Sequence, residues 1–147
     1  MKFEKFFKKV GTHGIIVKRN DNESWLVCDG IGMKIPDGVN NLGVSQKPDD
    51  MFKAIVNSIT SDDTLKLERA ILNDKEGKAK DIIRVFETFL GDTIGIYNDE
   101  FGLIEKKDIL TYLEIEDEDN ITHKIMIVSD HRGEIIGYIF GTKDFIA

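Results

Sequence analysis

Residues 63–91 read DTLKLERAILNDKEGKAKDIIRVFETFLG, and the conformation of this stretch decides the fold. In its second half Ala79, Ile82, Ile83, Phe86 and Phe89 fall at helical spacing, which places their side chains on one face. Asp74 can cap the start of such a helix, and Gly91 supplies the left-handed residue that often ends one. In the first half Leu65, Leu67 and Ile71 alternate with Lys66 and Glu68, as a strand would. Residues 64–72 are also rich in strong helix formers, so a helix stays open there. The flanking turns and the break at Asn73 and Asp74 favour the strand. Thr93 to Tyr97 reads as another strand. The pattern predicts a central strand–helix–strand unit whose apolar helix face covers a sheet.

On the N-terminal side, Pro48, Asp49 and Asp50 open a helix with Phe52, Ile55, Val56 and Ile59 as its buried stripe. Earlier still, Phe3, Phe6, Phe7 and Val10 lie at i, i+3, i+4, i+7, lysines fall largely elsewhere, and Gly11 ends the pattern. Such a basic amphipathic helix either meets a membrane or an acidic partner, or docks its phenylalanines on the sheet. Ten residues are few for autonomous binding, which favours docking. His13–Arg19 and Ser24–Cys28 form a hairpin around residues 20–23. Ile15 and Val17 then oppose either Trp25 and Val27 or Leu26, according to register. Met33 to Ile35 fits a third short strand. On the C-terminal side Phe101–Glu105, Ile109–Ile115, His123–Val128 and Glu134–Phe140 are strand candidates separated by turns. The expected fold is α+β, with antiparallel hairpins at both ends and about three helices, in a single domain over residues 1–147.

Composition excludes several classes. The chain is 41% apolar and 32% charged, which is too apolar for disorder, and its net charge of −7 argues against direct nucleic-acid binding. Cys28 stands alone and makes no internal disulfide, so a reducing, cytoplasmic location is expected. Uncharged runs fall far short of the ~20 apolar residues of a membrane span, and no apolar core follows the N-terminal lysines as in a secretory signal.

The search for chemistry assigns no catalytic residue, no cofactor-binding residue and no metal ligand. Gly30 and Gly32 follow a strand, but no helix start follows them to cradle a phosphate. His13, His123 and His131 lack ligand spacing with one another or with Cys28. Asp130 and His131 adjoin in a turn with no nucleophile placed beside them. The acidic run Glu114, Glu116, Asp117, Glu118 and Asp119 lacks the glycine and distal glutamate of a calcium loop, and reads as a charged hairpin tip.

Two features point to a protein partner. Residues 29–48 carry more apolar weight than a solvated loop needs, so they either tuck under the domain or meet a partner. Residues 1–20 hold six Lys/Arg against Glu4 alone, whereas residues 98–120 hold nine Asp/Glu against Lys106 and Lys107. Opposite patches of this kind favour contact between molecules. The candidate partner contacts are Met33, Ile35, Val39, Leu42, Lys5 and Lys8, and a second copy of the chain is among the candidate partners.

Three segments, GMKIPDGVNNLG (32–43), LKLERAILNDKEGKAKDIIRVFE (65–87) and IGIYNDEFGLIEKKD (94–108), resemble small proteins of bacteriophages and prophages of gut Firmicutes. The resemblance implies a setting, the host-cell interior or a virion, and carries over no catalytic residues. The leading expectation is a non-enzymatic interaction or assembly protein. The alternatives are an acidic inhibitor occupying a nucleic-acid or nucleotide site on a host protein, and a small ligand-binding protein or enzyme without a recognisable motif.

Overall fold

The computed structural model describes residues 1–39, 42–58, 66–72 and 82–143, with 66–72 described through the backbone. The fold is α+β. Helix α1 (Phe3–Val10) leads through a 3-10 turn (Gly11–His13) to strands β1 (Ile15–Asn20), β2 (Glu23–Cys28) and β3 (Ile31–Lys34). Helix α2 (Asp50–Asn57) precedes β4 (Lys66–Leu72), β5 (Ile82–Glu87) and β6 (Thr93–Tyr97). Helix α3 (Asn98–Phe101), β7 (Ile109–Glu116), β8 (Thr122–Ser129) and β9 (Ile135–Phe140) follow. Neighbouring strands run antiparallel in a six-stranded sheet ordered β1-β2-β3-β9-β8-β7 and a three-stranded sheet ordered β4-β5-β6.

The expected terminal hairpins are present and merge. Val17 faces Trp25 and Ile15 faces Val27, which settles the register of the first hairpin. Asp29 and Gly30, both at positive φ, form the tight β2–β3 turn. Two such residues twist a hairpin in the sense the strands require. Strand β3 then pairs with β9, Ile31 opposite Ile139 and Gly32 opposite Tyr138. The outer edge of β1 is covered by residues 45–47, since the Ile16 N–H donates to the Ser45 carbonyl at 2.8 Å and the Lys47 N–H to the Ile16 carbonyl at 3.0 Å.

The six-stranded sheet is buried on both faces. On one, Leu26, Met33, Tyr112, Met126 and Ile139 pack under α1 and the smaller sheet, with Phe6, Phe86, Ile94 and Ile96 opposite. On the other, Val17, Trp25, Ile125, Ile127 and Tyr138 pack under Phe52, Ile55 and Val56 of α2. Double burial makes Ile125 to Val128 an unbroken apolar run. Helix α1 docks its phenylalanines, as its length favours. Helix α2 starts where expected, with the Asp49 carboxylate accepting the Phe52 N–H at 2.9 Å.

The central strand–helix–strand unit is not what forms. Residues 73–81, including Ala79, lie outside the described residues, as do Thr64 and Leu65. Residues 82–87 are the middle strand of the smaller sheet, paired with β4 on one side and β6 on the other. Three of the six residues, Ile82, Ile83 and Val85, are β-branched and favour a pleated strand. Burial of Ile83 and Val85 as well as Phe86 erases the alternation that would have marked it. The strand over 64–72 is found as β4. The expected strand Phe101–Glu105 is instead α3 and a turn. Here the Glu100 carboxylate accepts the Tyr97 N–H at 2.9 Å and starts a helical turn.

Candidate interaction surface

The structure relocates the proposed contacts. Met33 is 2% exposed and Ile35 9%, so both belong to the core and neither is a partner contact. The apolar weight around them fills the space beneath α1. Leu42 is half-buried against the same cluster, while Val39 is exposed. Lys5 and Lys8 are exposed, and the Lys5 ammonium donates to the Gly102 carbonyl at 3.3 Å. Lys9 pairs with Asp99 at 2.6 Å, and the Met1 ammonium pairs with Asp108 at 2.9 Å. The basic N-terminal segment therefore meets part of the acidic stretch within one molecule. The unspent carboxylates lie further on, along β7 and its turn.

A larger apolar exposure lies at the β5–β6 turn. Phe89 is 102% exposed and Leu90 75%. The loop beneath them is closed by three hydrogen bonds. The Thr88 N–H donates to the Asp92 carbonyl at 2.8 Å and the Gly91 N–H to the Thr88 carbonyl at 3.0 Å. The Asp92 N–H donates to Thr88 Oγ1 at 3.1 Å, and Gly91 takes φ +94°. Gly91 is left-handed as expected, but it closes a hairpin, not a helix. Thr88 is buried, so the turn is anchored while its two corner residues stand in water. Nothing about folding requires that placement, since single exposed apolar residues are ordinary but adjacent ones on a fixed tip cost solubility.

Strand β7 lies at one end of the six-stranded sheet. Among the described residues no strand pairs with the outer edge of β7. Leu110 and Tyr112 alternate onto the face under the smaller sheet, and Leu113 and Ile115 onto the other. The Tyr112 hydroxyl donates to the Glu114 carboxylate. Burial, that hydrogen bond and the charges of Glu114 and Asp92 all raise the phenol pKa. Beyond β7, Asp117 accepts the N–H groups of Asp119 and Ile121 at 2.9 and 3.0 Å and lies 2.8 Å from His123 Nε2. Glu114, Glu116, Glu118 and Asp119 remain exposed.

The other candidate features resolve into structural roles. Asp130 accepts the N–H groups of Arg132 and Glu134 and so organises the β8–β9 turn, in which His131 is exposed. Gly32 lies beneath the Tyr138 ring, where an added Cβ would sit 2.2 Å from a ring carbon, so its lack of a side chain serves packing. A cleft of about 270 Å³ gathers Lys9, His13, Cys28, Asp29 and Glu100 over Phe6, Val10 and Ile31, a set no sequence spacing announced. Burial and the neighbouring Asp29 push the Cys28 thiol pKa up against the pull of Lys9. Among the described residues no three His, Cys, Asp or Glu side chains converge as metal ligands do, and no helix is long and apolar enough to cross a membrane.

Glu100 gives the cleft a measurable property. Burial, and then the Asp99 charge, push its carboxyl up to about 7 against the pull of Lys9. Between the ordinary carboxylate range and that value, the folded chain holds a proton the unfolded chain has released. Its contribution to stability is therefore full at low pH and is lost as pH rises towards 7. Glu100→Gln keeps an acceptor for the Tyr97 N–H and removes the titration. Urea unfolding should find the variant more stable than wild type at pH 8 by roughly 1–3 kcal/mol, with the gap closing at pH 5.

No family, curated protein or solved structure matches the chain.

Proposed function

We propose that the chain is a non-enzymatic interaction or assembly protein, phage-encoded as its resemblance implies, and acting in the host-cell interior or a virion. The observation that carries this reading is the Phe89–Leu90 tip, two adjacent apolar side chains held in water by a hydrogen-bonded turn. Apolar anchors of this kind supply the centre of protein interfaces. The exposed carboxylates after β7 favour a second reading, an acidic inhibitor that occupies a nucleic-acid site on a host protein.

The test is a photo-crosslinking side chain at position 89, with exposed Asn22 as the control position, in cells producing the chain. A discrete protein adduct at 89 and none at 22 supports the reading. Identical labelling at both positions overturns it. The Phe89→Ser/Leu90→Ser variant should lose the interaction while its unfolding free energy stays within about 0.5 kcal/mol of wild type, because neither side chain is buried.

A further inference from the structure

The cleft beside α1 holds a carboxyl group that the fold half-buries without giving it a counter-charge. Its floor is apolar, since Phe6, Val10 and Ile31 are all buried. Glu100 of α3 stands in the wall. One of its carboxylate oxygens accepts the Tyr97 N–H at 2.9 Å, while the other meets no donor among the described residues. The neighbouring cations are engaged elsewhere. Lys9, which also lines the cleft, pairs at 2.6 Å with Asp99, the carboxylate next to Glu100. Arg84 of β5 is held by Asn98 at 2.9 Å and lies over the Phe101 ring. Asp29, on the β2–β3 turn, is exposed at the rim and has no ion-pair partner among the described residues. Exposed His13 and half-buried Cys28 complete the lining.

We infer that this cleft binds a small organic cation, a primary ammonium group carried on a short apolar body. The ammonium supplies the donor that Glu100 lacks, and Asp29 attracts it from the rim. The apolar body covers Phe6, Val10 and Ile31, so a few polar groups orient a ligand that an apolar floor holds. An anion would face two carboxylates, and a neutral ligand would leave Glu100 shut off from water without a counter-charge. The volume of about 270 Å³ lies just below the usual range of ligand sites, about 300–1,000 Å³, and so selects a small ligand. This site goes beyond the interaction reading and does not depend on it.

Isothermal titration at about pH 8 tests the assignment with 2-phenylethylammonium, and with 2-phenylethanol and 3-phenylpropanoate as its neutral and anionic counterparts. The cation should bind about tenfold or more tightly than either, the ratio expected of a charge-assisted hydrogen bond. Glu100→Gln keeps an acceptor for the Tyr97 N–H and should lose about tenfold in affinity for the cation. Asp29→Asn should lose less, since asparagine tolerates the positive φ of that turn and only a rim charge goes. At about pH 5 Glu100 holds its proton, so the wild type should bind about tenfold more weakly while the Gln variant changes little. Amide resonances of Phe6, Val10 and Ile31 should shift on binding. No binding of the cation at millimolar concentration overturns the inference. So does equal binding of the alcohol, tighter binding of the anion, or resonance shifts confined to other parts of the molecule. A Gln variant that folds, as judged by circular dichroism, and binds the cation as wild type does also overturns it. Should that variant fail to fold, the wild-type comparison decides, and an affinity unchanged between the two pH values overturns the inference.

Discussion

Phe86→Ala is expected to destabilise the chain by about 3–5 kcal/mol, the range for truncating a buried aromatic side chain. Phe86 is 2% exposed and stands between the two sheets, packed with residues of α1 and of the six-stranded sheet. Its ring centre lies 6.0 Å from that of Phe101, whose other neighbour is the Arg84 guanidinium at 4.9 Å. Arg84 is in turn held by Asn98 at 2.9 Å, so the rings have little freedom to close the space left behind. Urea unfolding followed by far-UV circular dichroism measures the loss. A cost below about 1 kcal/mol would mean that the smaller sheet is not packed on the larger one, and the two-layer description of this face would fall.

Trp25→Ala should cost a similar amount, about 3–5 kcal/mol, on the opposite face of the same sheet. Trp25 has no exposed surface, meets Phe52 of α2 edge-on at 5.3 Å, and lies 6.2 Å from Tyr138. Its Nε1–H donates to the Glu23 carboxylate at 2.8 Å. Burial works to raise the Glu23 pKa, yet this hydrogen bond and the charges of Arg19 and Lys34 outweigh it and hold the carboxyl low. Truncation therefore loses aromatic packing and also leaves Glu23 short of a donor. Trp25→Phe keeps the packing and should recover most of the loss in the same unfolding assay. A Phe variant as unstable as the Ala variant would shift the weight from packing to the hydrogen bond.

Much of the fold was legible where one face of an element met water. The phenylalanine spacing of residues 3–10 and the capped helix at Asp49 follow from periods that burial on one side leaves visible, whereas the strands at 122–129 and 135–140, buried on both faces, are marked by the turns that bound them. The pattern failed at residues 82–87 because a strand covered on both faces loses its alternation, and Ile82, Ile83 and Phe86 then satisfy helical spacing by accident. The β-branched content of Ile82, Ile83 and Val85 was the signal that favoured a strand. The site was less legible for a related reason. Met33 and Ile35 look like spare apolar weight until α1 and the smaller sheet are placed above them. Phe89 and Leu90 look like the end of a helix face until the turn at Thr88–Asp92 turns them outward. Lys9 and Asp99 were visible as opposite charges without any sign that they touch.

The seam between β3 and β9 has a consequence for how the molecule is made. It joins strands from opposite ends of the chain, and the first three strands have no complete sheet until the last one arrives. Loops that long are slow to close, because their entropy is lost before the contacts form. On a ribosome, the β1–β3 meander emerges early and waits with the inner edge of β3 open while α2 and the smaller sheet are synthesised. Gly32 and Met33, already paired with β2, lack their β9 partners for that interval, and the apolar floor they help to build stays uncovered. Arrival of β9 is therefore the step that seals the sheet, and chains stalled before β9 would present an open strand edge to chaperones, proteases or each other.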